Sequence, residues 1–144
     1  MSRDLKHNGS GCLDLTAYEA LQNIEREEVH VGQRPRYPRV YICSPYRGDT
    51  ALNTRNAIHY CRFAVERGCF PIAPHIWLPL FLDDADPDER ELGISFGLRL
   101  LAGCREVWVF GDRLSDGMRR EITRARAREL PIRYFDSQCE EVVR

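Results

Sequence analysis

From Pro38 onward, apolar runs of strand length alternate with segments of helical periodicity, and no other feature constrains the fold so strongly. This alternation is the signature of βαβ units, in which strands pair in parallel and helices cover the sheet. The strand-length runs are Arg39–Cys43 (RVYIC), Cys69–Ala73, Glu106–Phe110 (EVWVF) and Ile132–Phe135. After the first, Asp49 or Thr50 can cap a helix whose stripe Ala57, Cys61, Ala64, Val65 and Gly68 follows the roughly 3.6-residue helical repeat, and Gly68 ends it. A proline-rich loop then runs to Pro87. Asp88–Ala102 reads as a helix with Leu92, Phe96 and Leu100 on one face, and Ser115–Leu130 as another that Pro131 stops. The expected fold class is α/β: a small doubly wound parallel sheet of about four strands with helices on both faces.

Residues 1–36 differ from the rest, with a polar start, a helical segment from Leu15 to about Val29 and the loop VGQRPRYPR. In LTAYEALQNIEREEV, Thr16 can serve as N-cap and Glu19 as its capping-box partner, while Leu15, Tyr18, Leu21 and Ile24 recur at helical spacing. The expected division is an N-terminal helical arm and linker over 1–36 and an α/β domain over 37–144. The arm should pack on that domain or on a partner subunit.

Composition narrows the function classes. With 43% hydrophobic and 30% charged residues the chain is of ordinary globular type, not disordered or fibrous. Twenty-one Lys and Arg against 22 Asp and Glu give a net charge of −1, which lacks the broad positive field of a general nucleic-acid binder. The nearly uncharged stretch Phe70–Leu82 is broken by Pro71, Pro74, His75 and Pro79, and is shorter than the roughly 20 residues of a spanning helix. No membrane crossing is expected. The opening MSRDLKHNGSGC contains no apolar h-region, so a cytoplasmic location is expected. The six cysteines, Cys12, Cys43, Cys61, Cys69, Cys104 and Cys139, are scattered without a C-x-x-C pair. Cys43, Cys61, Cys69 and Cys104 fall within or beside apolar runs, and they read as buried, inert thiols of a reducing compartment rather than as metal ligands.

Ligands of doubly wound sheets sit at the carboxyl ends of the strands, which here selects the loops 44–50, 74–87 and 111–117. Those loops carry SPYRGD, APH and, running on into the next helix, FGDRLSDGMRRE. In the last, Ser115, Gly117 and Glu121 place a hydroxyl, a flexible amide and a carboxylate in the first two helical turns, where free N–H groups favour an anionic or polar ligand. Counting about 100° per residue from Met118 puts Ile122 at about 40°, Ala125 at about 340° and Glu121 at about 300°, so the acid borders the buried stripe. Desolvation would raise its pKa and the helix dipole would lower it. The alternative is a helix-start glutamate that serves the dipole and pairs with Arg124.

The strand VYICSPY, the spacing Ser115-x-Gly117-x-x-x-Glu121 and the APH loop resemble the nucleoside 2-deoxyribosyltransferase-like superfamily, over roughly residues 38–135. The resemblance implies a Rossmann-like sheet, Glu121 as nucleophile, Tyr41 as the group that orients it, and Ser115 and Gly117 as ligands to sugar or phosphate oxygens. Ser44, Tyr46 and His75 would line the pocket. The implied chemistry is cleavage or transfer of the N-glycosidic bond of a deoxynucleoside or its 5′-monophosphate through a covalent glutamyl-deoxyribose, with no metal or redox cofactor required. Tyr46 or Trp77 is the aromatic available to stack on the base. The resemblance also implies a homo-oligomer, for which the arm and IWLPLFL are contact candidates.

One departure stands out. Where the family carries an aspartate near the departing base, this sequence has Gly97, and Arg105 stands where Asp is frequent. Asp83, Asp84, Glu89 or Glu91 could substitute, or DDADPDERE is a solvated loop with a helix cap. His75 is either a proton donor near its natural pKa or a histidine satisfied by backbone. Of Arg119, Arg120, Arg124, Arg126 and Arg128, most should form a solvated face and one or two could meet a 5′-phosphate. A catalytically weak nucleotide-binding or sensing module of the same fold is therefore the alternative. A structural protein assembled through its arm is a third reading.

Overall fold

The computed structural model describes residues 36–144. The helical arm read from Leu15 to about Val29, its Thr16 cap and Cys12 lie outside the described residues. Among the described residues the elements run β1 (Arg39–Cys43), α1 (Thr50–Glu66), β2 (Phe70–Ile72), α2 (Pro74–Trp77), a 3-10 turn (Leu78–Leu80), α3 (Pro87–Ala102), β3 (Glu106–Phe110), α4 (Asp116–Ala127), β4 (Ile132–Phe135) and β5 (Glu141–Val142). They build a mixed α/β architecture around one sheet of order β2-β1-β3-β4-β5, with β1 parallel to both β2 and β3, and β3 parallel to β4.

Helix ends follow local chemistry. The Asp49 carboxylate accepts from Leu52 N–H at 3.1 Å and starts α1, and Gly68, at φ +74°, takes the left-handed conformation that turns the chain toward β2. Asp86 caps α3 by accepting from the amides of Asp88 and Glu89 at 2.9 and 3.3 Å, so this part of the acidic loop is a helix cap. Pro87 fills the first turn, where its missing N–H costs nothing. Ser115 Oγ accepts from Met118 N–H at 3.3 Å and starts α4.

Two expectations need correction. The sheet has five strands rather than about four, because β5 returns antiparallel onto β4. Its two residues are too few to show periodicity. The pairing is made by a turn in which Asp136 accepts from the amides of Gln138 and Glu140 at 2.8 and 2.9 Å. The segment after β2 is also not simply a loop: Pro74 opens α2 and Pro79 sits in the 3-10 turn. Prolines that read as loop markers act here as first-turn residues with preset φ.

The central strands are buried on both faces, and their alternation sorts two cores. Val40, Ile42, Trp108 and Phe110 pack with Tyr60 and Ala64 of α1 and with Phe135. On the other face Tyr41, Cys43, Val107 and Val109 pack with Leu101 of α3 and Met118, Ile122 and Ala125 of α4. The first core is held by stacked rings, Tyr60 on Phe110 at 4.2 Å and Phe110 on Phe135 at 5.0 Å between centroids. Strand order reverses at β1, which leaves a crevice at its carboxyl end. No helix among the described residues is long and apolar enough to cross a membrane.

Phe110 is fully buried between these rings. Phe110→Ala is expected to lower stability by about 3–5 kcal/mol, read as a drop in the urea midpoint with the slope unchanged.

Candidate functional site

A cavity of about 290 Å³ opens at the carboxyl ends of β1 and β2 and is closed by α3 and the start of α4. Each wall follows from the chain path. Strand alternation turns Tyr41 toward the α3 and α4 side, Ser44 and Tyr46 leave the end of β1, α2 supplies His75, and α4 supplies Ser115, Gly117 and Glu121. The seven residues that the family resemblance implied for the site all line this one cavity.

The inner wall is a carboxyl–phenol pair. Tyr41 Oη donates to Glu121 Oε1 at 2.9 Å, and Tyr41 is wholly buried. Burial pushes the Glu121 carboxyl up to about 7, against the hydrogen bonds of Cys43 and Tyr41, which pull it down. The contest between desolvation and favourable partners is therefore won by desolvation. Burial, then the charge of Glu121, holds the Tyr41 phenol well above its ordinary value, and the same two causes raise the Cys43 thiol. Both remain protonated donors beside a carboxyl that titrates near neutrality. The pairing of Glu121 with Arg124, one of the two readings of the sequence, is not what forms.

His75 Nε2 lies 2.8 Å from Ser44 Oγ. Burial pushes the imidazole down to about 4. Both expectations for His75 are corrected: it is neutral near pH 7 rather than a ready acid, and its partner is a side chain rather than backbone. At the start of α4 the Ser115 hydroxyl oxygen is already engaged as a cap, and the amides of Asp116 and Gly117 precede the helical ladder.

Charges gather at the mouth. Arg47 pairs with Asp84 at 3.1 Å, and Glu89 and Arg90 complete the rim. These cations were missed in the sequence, although Arg47 sits in SPYRGD itself, beside the residues chosen. The arginines of α4 do not line the cavity: Arg120 forms a two-pronged bond to Glu91 at 2.9 and 3.2 Å, and Arg119 pairs with Asp116. Of the acids offered as substitutes, Asp84 and Glu89 line the cavity, and Asp83 and Glu91 do not. Trp77 lies outside it, tilted against Phe81 at 5.9 Å, so Tyr46 is the aromatic on the wall. Gly97 lines the wall against Tyr41, whereas Arg105 lies at the amino end of β3, its amide bonded to the Arg39 carbonyl at 2.8 Å. Among the described residues, no group of three or more His, Cys, Asp or Glu is placed to hold a metal ion.

Residues 38–135 match the family described as "Domain of unknown function (DUF7768)". A solved structure described as the 2-deoxyribosyltransferase of the psychrotolerant bacterium Bacillus psychrosaccharolyticus has a similar fold. Its TM-score is 0.54 at 16% identity, over 74% of this chain and 77% of that one. No curated protein matches the sequence at a significant level.

Two half-buried groups give this site a pH signature. Glu121 is raised from 4.5 to about 7, so its contribution to stability is complete below pH 4.5 and is lost as the pH rises through 7. His75 is lowered from 6.5 to about 4, so its contribution is complete above pH 6.5 and is lost as the pH falls through 4. Between pH 4.5 and 6.5 the two slopes oppose, and the wild type is expected to be nearly flat there. Glu121→Gln should leave the His75 slope alone in that window. Above pH 7 it should be more stable than wild type by roughly 3 kcal/mol. Urea unfolding across the pH series measures both.

Proposed function

The chain belongs to the DUF7768 family over residues 38–135, and from its site we propose that it cleaves or transfers the N-glycosidic bond of a deoxynucleoside or deoxynucleoside monophosphate. The observation that carries this reading is the Glu121 carboxyl, desolvated on the wall of an open cavity and held at one oxygen by Tyr41. The likeness in fold to a 2-deoxyribosyltransferase supports it.

Glu121 is the nucleophile. Its Oε2 forms a bond to C1′ while the C1′–N bond breaks, and the electron pair leaves with the base, which takes up a proton. The transition state is oxocarbenium-like and the intermediate is a glycosyl ester of Glu121. Attack on C1′ by water, or by a nitrogen of a second base, breaks that ester and returns the carboxylate. Tyr41 keeps its proton throughout, fixes Oε1 and thereby aims the other oxygen. A carboxyl that titrates near 7 is ionised in a large share of molecules at neutral pH, and its partial desolvation leaves less water to shed before attack.

Tyr46 is the stacking surface for the base, and the neutral Ser44–His75 pair offers hydrogen bonds without adding charge. Ser115 and Gly117 hold sugar or phosphate oxygens at the start of α4. No carboxyl stands at Gly97 and His75 is neutral, so the inner wall supplies no strong acid for the leaving base. That favours, as a second reading, a nucleotide-binding or sensing module with weak turnover. Leu80 and Phe81, 82% and 60% exposed, are the surfaces for the proposed assembly of copies of the chain.

Glu121→Gln is expected to reduce nucleobase release by about a thousandfold or more, and Tyr41→Phe by about ten- to a hundredfold. Chromatography of deoxynucleosides and their monophosphates after incubation measures this. Undiminished release by Glu121→Gln removes the mechanism. Calorimetric binding with no release by the wild type moves the protein to the second reading.

A further inference from the structure

We propose that Gly97 is a positioning residue: its missing side chain lets α3 pack directly on the Tyr41 hydroxyl and keeps that donor aimed at Glu121. A Cβ built on Gly97 would lie 3.0 Å from Tyr41 Oη and 3.7 Å from Pro74 Cγ. The first distance is shorter than carbon and oxygen ordinarily tolerate, so one of the two must move. The phenol ring is wholly buried on β1, within a core shared with Leu101 of α3 and Ile122 of α4. The atom the Cβ meets is its hydroxyl, which must give by a few tenths of an ångström, and that displacement disturbs the 2.9 Å bond to Glu121 Oε1.

Backbone geometry does not call for glycine here, since Gly97 lies inside α3 and is not among the glycines with positive φ. Helix propensity favours alanine at such a position. Gly93, one turn earlier and on the same cavity wall, provides the contrast: a Cβ there would meet only Leu82 Cδ1, at an ordinary 3.5 Å. A side chain is thus crowded by a neighbour at 97 and not at 93.

The consequence for turnover rests on the reading of Glu121 as nucleophile, whereas the contact itself does not, so the test reads Glu121 directly. The titratable and charged groups that share its surroundings are Tyr41 and Cys43 from β1, Arg47 and Asp84 paired at the rim, His75 from α2, Glu89 and Arg90 from α3, and Asp116 from α4. Of these, Tyr41 and Cys43 hold it down by hydrogen bonding, so a weakened Tyr41 bond moves it up. The full chain, labelled with carboxyl-13C glutamate, is titrated by NMR, with the Glu121 signal identified by its loss in Glu121→Gln.

Gly97→Ala is expected to raise the Glu121 midpoint above the wild-type value near 7, and Gly93→Ala to leave it in place. Tyr41→Phe raises it too, and adding Gly97→Ala to Tyr41→Phe should produce no further change, because no hydroxyl remains to be displaced. An unchanged midpoint in Gly97→Ala, or an equal added shift in the Tyr41→Phe background, overturns the proposal. If Gly97→Ala does not fold, recovery of cooperative thermal unfolding in Tyr41→Phe/Gly97→Ala supports it and failure to recover overturns it. Base release is assayed separately. The expected titrations without release by any variant or the wild type would end the glycosidic reading and leave the role of Gly97 standing.

Discussion

A carboxyl group buried against a phenol is the constraint around which the rest of this molecule is arranged. Ionised carboxylates are costly to desolvate, and Glu121 is kept near the apolar core with the Tyr41 hydroxyl as donor and the Cys43 thiol nearby to offset the cost. The offset is incomplete, which leaves the group titrating near neutrality and tolerant of either charge state. Such a group weakens the fold at high pH. On the opposite face of the sheet Tyr60, Phe110, Phe135 and Trp108 build an aromatic core free of ionisable carboxyls.

The doubly wound topology makes that arrangement inexpensive. Because β1 and β3 are covered on both sides, successive residues serve different cores: Val40 and Ile42 support α1, and Tyr41 and Cys43 support the site. One strand therefore carries structural residues and site residues in alternation, and a register slip would exchange them. The reversal of strand order at β1 then leaves the carboxyl end of that strand open, so Ser44, Tyr46 and Arg47 meet α2 and the start of α4 across a gap rather than a packed interface.

Much of the site's behaviour comes from groups kept neutral. His75 beside Ser44, Tyr41 and Cys43 all remain uncharged near pH 7 because burial disfavours their ionised forms. Charge is confined to the rim, where Arg47 and Asp84 face solvent and neutralise one another. The inner wall thus offers hydrogen bonds in a low-dielectric setting, and the single group there that changes charge near neutrality is Glu121.

Local pattern was enough to determine the α/β class and the side of α4 on which Glu121 stands, because strand alternation and the helical repeat are properties of consecutive residues; it left the first cap open between Asp49 and Thr50, and the structure chose Asp49 and made Ser115 a cap as well. It also selected the loops that meet at the cavity. It could not settle the sign of the Glu121 shift, since desolvation and hydrogen bonding differ only through neighbours up to 80 positions away along the chain, such as Tyr41. The pairing of Ser44 with His75, the placement of Tyr46 rather than Trp77 on the wall, the rim cations and β5 were likewise decided by chain segments meeting in space. Gly97 shows the limit most sharply: in sequence it is an absent acid, and only the packing of α3 on β1 reveals the Tyr41 hydroxyl 3.0 Å from where its Cβ would stand.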